Sequence, residues 1–151
     1  MIIALGVDHG GFPLKNAVIA IIEADNHELL DLGTFDETPV DYPDYAKSVA
    51  DSIINGRANR GILICGSGVG ACVAANKING IRAGLCHDVY SAHQGVEHDD
   101  MNILCLGARI IGPALAVELV RSFLAAHFSG AERHKRRLGK VIALEKNLHH
   151  G

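Results

Sequence analysis

The residues of this chain that are best suited to chemistry are a cysteine and a serine set among glycines. Cys65 ends an apolar run and is followed by Gly66, Ser67, Gly68 and Gly70. Glycine permits positive φ angles and lets a backbone approach a ligand closely. The amides of such a turn, together with the N-terminus of a following helix, favour an anion. Because a thiol in this setting is a candidate base or nucleophile, we predict that this segment is the active site.

Polar residues also stand next to other predicted strands. Asp8 and His9 follow the first strand, Arg109 follows the fifth, and His98 and Asp99 come just before the fifth. The carboxyl ends of parallel strands meet at one edge of a sheet, and ligands bind at that edge. We therefore expect these side chains to gather around the glycine turn, with His98 and Asp99 folding back over the same edge.

Simpler interpretations exist for several of these residues. Arg133 and Arg137 are four residues apart, so on a helix they share a face and can clamp a phosphate, although most charge runs are solvated faces. Asp8 with His9 could cap the first helix, and His98 could belong to a solvated helix end. The residue types alone leave these alternatives open.

A nucleotide-binding module is a rival interpretation of the glycine turn. Gly66, Gly68 and Ala71 fit a dinucleotide fingerprint, and Asp88 follows at roughly the 20-residue separation that the motif expects. The turn falls in the third β-α unit, however, and a phosphate or an enediolate suits it equally well. Histidine and aspartate also bind metals, but the chain offers no spaced set of ligands, so we predict no metal site.

The elements that position these residues follow from hydrophobic periodicity. Apolar runs predict five strands, at 2–7, 28–32, 62–65, 81–86 and 103–106. Amphipathic segments between them predict helices, with Pro13 in the first turn of the first, Asp41 capping the second, and later helices at 71–77, 89–97 and 113–128. A last helix runs to about Leu148, and His149 and His150 form a mobile tail. Successive β-α units predict an α/β fold: a three-layer, Rossmann-like arrangement of a five-stranded parallel sheet, helices on both faces and an extra C-terminal helix.

Composition narrows the class of protein. A chain of 151 residues fits a single domain, residues 1–151, with a substantial core. The net charge of −3 argues against a general nucleic-acid partner. No apolar run reaches the length of a membrane span, and no signal-peptide pattern precedes the first strand, so no membrane partner is expected. The 4 cysteines lack CxxC spacing, and reduced thiols in a cytoplasmic protein are the simplest interpretation, with Cys72, Cys86 and Cys105 in the core.

Taken together, the motifs resemble those of the type B ribose-5-phosphate isomerase family, which includes galactose-6-phosphate isomerase subunits and allose-6-phosphate isomerases. The resemblance extends from Met1 to about Leu148. It rests on these segments in this order: DHGGF (8–12), DYPDYA (41–46), GILICGSGVG (61–70), AANK (74–77), IRA (81–83), HDDMN (98–102), LGAR (106–109), and Arg133-His134 with Arg137.

This resemblance implies an aldose–ketose isomerase that needs neither metal nor organic cofactor. Cys65 matches the base that moves a proton between C2 and C1, and His98 matches the group that opens the sugar ring. Asp8 matches a carboxylate at the substrate hydroxyls, while Ser67 and the amides of Gly66 to Gly70 match an anion hole. The remaining substrate- and phosphate-binding positions are His9, Tyr42, Asp99, Arg109, Arg133 and Arg137.

The resemblance also implies the assembly and the substrate. In the family the arginines near the C-terminus reach into the neighbouring subunit's site, so a homodimer with shared active sites, often paired into a tetramer, is expected. Ribose 5-phosphate is the expected substrate. Alternatives are a six-carbon sugar phosphate, such as allose 6-phosphate or galactose 6-phosphate, and a role as a non-catalytic subunit beside an active partner.

The chain departs from the family's pattern in a few positions. The turn carries Ser67 where threonine is common, which keeps the hydroxyl. Asp99 replaces a frequent asparagine and adds negative charge beside His98. A second branch of the family uses a glutamate base at the position of Ala71, so in this chain Cys65 must be the base.

Overall fold

The computed structural model describes residues 1–147. Within them a single sheet contains 5 parallel strands in the order β2-β1-β3-β5-β4. The strands are β1 (Ile2–Val7), β2 (Glu28–Asp31), β3 (Arg60–Cys65), β4 (Ala83–Leu85) and β5 (Ile103–Gly107). All five predicted strands are present. The fourth is shorter than predicted, mainly at its start. The Ile81 amide donates to the Ile78 carbonyl and the Arg82 amide donates to the Asn102 side chain, so the strand begins only at Ala83.

The helices alternate with the strands as expected. They are α1 (Lys15–Ala24), which a short 3₁₀ turn (Phe12–Leu14) precedes, α2 (Tyr42–Ile54), α3 (Val69–Ala75), α4 (Val89–Asp99), α5 (Pro113–Ala125) and α6 (Glu132–Asn147). Pro13 lies in the 3₁₀ turn. Asp41 occupies the N-cap position of α2, but its side chain makes no capping hydrogen bond. The predicted positions of Leu148, His149 and His150 lie outside the described residues.

The sheet is buried on both faces, as its apolar strands require. On one face α1, α4 and α5 pack over a core that includes Ile22, Val96 and Phe123. On the other face α2 and α3 pack over a core built with smaller residues such as Ala46 and Ala75. These layers confirm the predicted three-layer α/β fold and leave the ends of the strands open at the two edges of the sheet.

The C-terminal helix lies outside these layers and packs against α4. Its apolar residues remain open to solvent in the single chain: Leu144 is 64% exposed and Val141 is 48% exposed. On α3, Val69 and Val73 are also more than half exposed, at 51% and 56%. Large apolar side chains exposed in groups mark a surface for association.

Among residues 1–147, none of the helices has both the length and the apolar character needed to cross a membrane.

Candidate active site

Three strand ends meet where the strand order reverses. The chain leaves β1 in one direction to form β2, and β3 lies on the other side of β1, so the switch point lies between β1 and β3. Backbone pairing continues past the strands: the Asp8 amide donates to Ile64 at 3.1 Å, and the Arg109 amide donates to Gly66 at 3.0 Å. The residues that follow β1, β3 and β5 are therefore held together at the place where such sheets bind ligands.

A cavity of about 320 Å³ opens at this switch point. Its size is within the range of small-molecule sites. Seven of the predicted site residues line it, together with one residue that the sequence did not single out: Asp8, Tyr42, Cys65, Gly66, Ser67, Gly70, Arg109 and Ile110. The expectation that residues from separate strand ends gather around the glycine turn is confirmed for these positions.

The glycine turn holds the thiol of Cys65 in a fixed direction. Gly68 has φ +80°, and its amide donates to the Cys65 Sγ at 3.1 Å. A Cβ at position 68 would lie 2.9 Å from the backbone carbon of Leu106, so both the backbone angle and the space require glycine. The Ser67 hydroxyl accepts from the Val69 amide at 3.3 Å and is exposed at the cavity.

Asp8 serves the turn after β1 and also lines the cavity. Its Oδ1 accepts from the Gly11 amide at 2.9 Å, and the residue is only 7% exposed. A Cβ at Gly11 would lie 2.2 Å from the carbonyl oxygen of Ile64, so this turn packs directly against β3. The local, capping-type interaction and the position in the cavity are therefore both present.

His9 follows Asp8 in the chain, is not among the lining residues of the cavity, and holds the segment 33–41. Its Nδ1 accepts from the Val40 amide at 3.1 Å. At the start of this segment, Lys15 donates to the Thr34 carbonyl at 2.6 Å and forms an ion pair with Asp31 at 3.0 Å. The segment 33–41 is therefore held by hydrogen bonds near both of its ends. The next residue is Tyr42, whose ring packs against Gly70.

The expectation that His98 and Asp99 fold back over the carboxyl edge of the sheet is wrong within one chain. Parallel strands require each connecting helix to run back to the opposite edge, and α4 makes that return before β5 begins at Ile103. Cys65 pairs with the last residue of β5, whereas Ile103 is its first. The strand between them separates the two edges by roughly 13 Å at a rise of about 3.3 Å per residue.

At that opposite edge His98 joins a separate basic group. Its ring stacks on His134 with centroids 4.0 Å apart, and Gln94 donates to its Nδ1 at 2.9 Å. Burial, followed by the nearby charges of His98, Arg133 and Arg137, lowers the pKa of His134. In this chain the opposite-edge group therefore contains four residues that the sequence placed in the site: His98, Asp99, Arg133 and Arg137.

The structure also bears on the two rival interpretations of the sequence, a nucleotide-binding module and a metal site. The Asp88 side chain accepts from the Ser91 amide at 2.7 Å and caps α4, so it is not held ready for a ribose hydroxyl. Residues 1–147 contain no group of three or more histidine, cysteine or acidic side chains arranged to hold a metal ion.

Two residues near the site were given no site role from the sequence. Ile110 lines the cavity only because it follows Arg109 in the loop after β5. His87 follows the shortened fourth strand, and its Nε2 accepts from the Gly107 amide at 3.0 Å. Burial lowers the pKa of His87, which favours the neutral ring that this hydrogen bond requires. The sequence marks His87 as a polar residue at a strand end and gives no signal for Ile110, and only the tertiary neighbours show what each residue does.

The fold and the cavity define the chain as an enzyme for a small polar substrate, because the lining groups are able to transfer protons and bind an anion. The family model described as Ribose/Galactose Isomerase matches residues 3–141. Ribose-5-phosphate isomerase B of Escherichia coli is 42% identical over 144 residues, covering 95% of this chain and 96% of that protein.

Solved structures agree with this match. Ribose-5-phosphate isomerase B of Clostridium thermocellum has a TM-score of 0.95 and 43% identity, covering 98% of this chain and 99% of that one. The Mycoplasma genitalium ribose-5-phosphate isomerase B with bound ribulose 5-phosphate has a TM-score of 0.89 and 39% identity, covering 96% of both chains. The chain therefore belongs to the ribose/galactose isomerase family and is an aldose–ketose isomerase.

Proposed function

We propose that the chain is one domain, residues 1–151, that interconverts ribose 5-phosphate and ribulose 5-phosphate by ring opening and a cysteine-mediated 1,2-proton shift. The observation that carries the proposal is a single cavity that brings together Cys65, Asp8 and the glycine turn. The relatives named for this reaction share more than a third of their residues with the chain. The free thiols suit an enzyme of the reducing cytoplasm.

The proton transfer follows from the positions of these groups. In the open-chain aldehyde, the C–H bond next to the carbonyl is a weak acid, so its cleavage needs a base and a site for the developing oxyanion. Cys65 as thiolate takes the C2 proton. Ser67 and the amides of Gly66 and Gly70 stabilise the enediolate, and each such donor contributes on the order of 3 kcal/mol to lowering the barrier. The same cysteine then returns the proton to C1, and the hydroxyl proton passes from O2 to O1, which yields the ketose.

Ring opening comes first and requires an acid at the ring oxygen and a carboxylate at the anomeric hydroxyl. Asp8 lies in the cavity for the second role. The first role belongs to His98, which stands at the far edge of the same chain beside Arg133 and Arg137. We infer that a second copy of the chain supplies His98, its neighbouring arginines and Asp99. Arg109 and His9 of the first copy bind the phosphate from their own side.

A two-fold dimer fits this division of the site. In such a dimer the symmetry repeats every contact. If the opposite-edge group of one chain meets the cavity of the second chain, the group of the second chain therefore meets the cavity of the first in the same way. The exposed apolar residues on α3 and α6 would lie in the contact. Their burial would stabilise the dimer by roughly 25 cal/mol for each Å² of apolar surface removed from water.

The direct test is turnover of three candidate substrates: ribose 5-phosphate, allose 6-phosphate and galactose 6-phosphate. Ketose formation is followed for the wild type, for Cys65→Ala, and for Cys86→Ala as a matched cysteine control on the other face of the sheet. We expect ribose 5-phosphate to react fastest, and we expect Cys65→Ala alone to reduce kcat by about 10³-fold or more.

Each other outcome has a definite meaning. Preference for a six-carbon sugar phosphate would keep the mechanism and change the substrate. Activity that survives Cys65→Ala would refute the assigned base. If no sugar phosphate reacts, tight binding of a nucleotide that does not depend on Cys65 would indicate a nucleotide-binding module, and activity gained with a second protein would indicate a non-catalytic subunit.

A further inference from the structure

The ring of His98 is held along one edge by a side chain of its own helix. Gln94 precedes His98 by four residues in α4, so the two side chains are neighbours on one face of the helix. The amide nitrogen of Gln94 donates to the Nδ1 of His98 at 2.9 Å. Both residues are partly buried, which strengthens this hydrogen bond. Gln94 therefore occupies one of the two ring nitrogens of His98.

A second histidine fixes the plane of the His98 ring. The His134 ring stacks on it with centroids 4.0 Å apart and an angle of 27° between the two planes. His134 is only 3% exposed, and its Nδ1 is hydrogen-bonded to the Ser129 hydroxyl. That hydroxyl accepts from the Ala131 amide at 3.1 Å, so its own proton is available to His134. The His134 ring is thus itself held in place, and stacking on it restricts the His98 ring to one plane.

The remaining ring nitrogen of His98, Nε2, is the one left for a ligand. Among residues 1–147 it has no hydrogen-bond partner. The Gln94 amide nitrogen faces Nδ1, which suits a neutral ring with its proton on Nε2. When the ring is protonated, half a turn of the amide brings its carbonyl oxygen to the Nδ1–H group. A primary amide can therefore hold Nδ1 in both protonation states, which leaves Nε2 facing outward in each.

We propose that Gln94 is a positioning residue for ring opening, because it holds Nδ1 of His98 and so directs Nε2 at the ring oxygen of the sugar phosphate. This rests on the proposed function, in which His98 of one copy acts in the cavity of the other. Protonated His98 gives its Nε2 proton to the ring oxygen as the bond from that oxygen to C1 breaks. The anomeric hydroxyl gives its proton to Asp8 and becomes the aldehyde, so one proton enters the sugar and one leaves it.

The geometry is tested by spectroscopy, without reference to activity. The full-length protein is labelled with ¹⁵N in its histidine rings and studied at the alkaline plateau of the His98 titration, with signals assigned by their loss in His98→Gln. We expect the proton on Nε2 in the wild type, on Nδ1 in Gln94→Glu, whose carboxylate only accepts, and a mixture in Gln94→Met. A wild-type proton on Nδ1, or the same spectrum in all three proteins, overturns the proposal.

Turnover of ribose 5-phosphate tests the positioning role. Gln94→Met keeps the length of the side chain and removes the hydrogen bond. It should lower kcat by about 10-fold with little change in KM, which is part of the roughly 10²–10⁴-fold that a positioned acid contributes. Gln94→Glu should recover much of the lost kcat, because a carboxylate still holds Nδ1. Equal losses in the two variants would contradict a role through this hydrogen bond.

The pH profile gives a readout that packing alone would not change. A carboxylate at position 94 stabilises the protonated His98 ring, so Gln94→Glu should stay active to higher pH than the wild type. The other charged groups around the stacked rings, Arg133, Arg137 and Asp99, are the same in both proteins. Superimposable profiles would mean that position 94 does not act on His98.

His93 provides the matched control, since it makes the equivalent contact one residue earlier in α4. Its Nδ1 lies 3.2 Å from the Oε1 of Glu97, again four residues apart. His93→Met therefore removes a contact of the same kind from the same helix and leaves the His98 ring alone. We expect it to keep the wild-type kcat. Equal losses in His93→Met and Gln94→Met would assign the effect to α4 as a whole and refute the positioning role.

Hydrogen exchange separates ring opening from proton transfer. Ribulose 5-phosphate carries its phosphate on the oxygen that would close a five-membered ring, so it is an open chain. Exchange of its C1 hydrogen with D₂O therefore needs only the Cys65 step. Gln94→Met should exchange at the wild-type rate, and a parallel loss of exchange and turnover would contradict the proposal. If the wild type neither exchanges nor turns over a sugar phosphate, the proposed function fails, whereas the spectra decide the Gln94 contact on their own.

Discussion

A mixture of two inactive variants should recover activity if each active site combines residues from two chains. Cys65→Ala removes the proposed base, and His98→Gln removes the proposed ring-opening acid at the other edge of the sheet. In a two-fold dimer of one Cys65→Ala chain and one His98→Gln chain, one site carries both changes and the other carries neither. Random association makes half of the dimers mixed, so the mixture should reach about a quarter of wild-type activity per chain.

The assay uses the two variants with different affinity tags, unfolded together, refolded and compared with each variant refolded alone. The purified mixed dimer should have about half of the wild-type activity, because one of its sites is intact. Turnover is measured with ribose 5-phosphate, and size-exclusion chromatography confirms that each sample contains dimers.

The matched control places both changes on the same chain and mixes it with the wild type. If the sites are shared, each mixed dimer then has one change in each site and is inactive, so only wild-type dimers contribute. If Cys65 and His98 acted within one chain, this mixed dimer would keep one complete site, and the mixture of single variants would recover nothing. That reversed pattern would refute the shared site.

Three further predictions concern the stability of the elements around the cavity. Gly68→Ala should lower the free energy of unfolding by more than Gly56→Ala, because both positions have positive φ, worth about 1–3 kcal/mol, but only position 68 also meets the β5 backbone. The wild type should lose stability relative to His87→Gln as the pH falls below 6.5. Burial lowers the pKa of His87 in the folded state, so the unfolded state binds the proton more tightly. Protonation also removes the acceptor of the Gly107 amide. Lys15→Met should cost about 2 kcal/mol, because it leaves a carboxylate and a carbonyl without their buried partner.

Chemical unfolding of the purified proteins measures all three effects. Equal losses for Gly68→Ala and Gly56→Ala would show that the turn relaxes away from β5. Parallel pH profiles for the wild type and His87→Gln would show that the histidine does not titrate with folding. An unchanged Lys15→Met protein would mean that the start of the segment 33–41 is held by its backbone alone.

The sequence by itself determined the order of elements and most of the residues around the cavity. Hydrophobic periodicity is a local property, so apolar runs and glycine turns identified all five strands and the segment that ends in Cys65. Parallel strands place their ends at a common edge, so Asp8 and Arg109, which follow strands directly, could be assigned to the site from position alone.

Only the tertiary structure decided at which edge of the sheet each remaining residue lies and which residues it contacts. The sequence placed His98 beside Cys65, but in the structure it lies at the opposite edge of the sheet of the same chain. The reason is that α4 must return to that edge before β5 can run parallel to its neighbours. Spacing along a chain determines periodicity within an element, whereas contacts between elements depend on strand order and packing, which the periodicity does not specify.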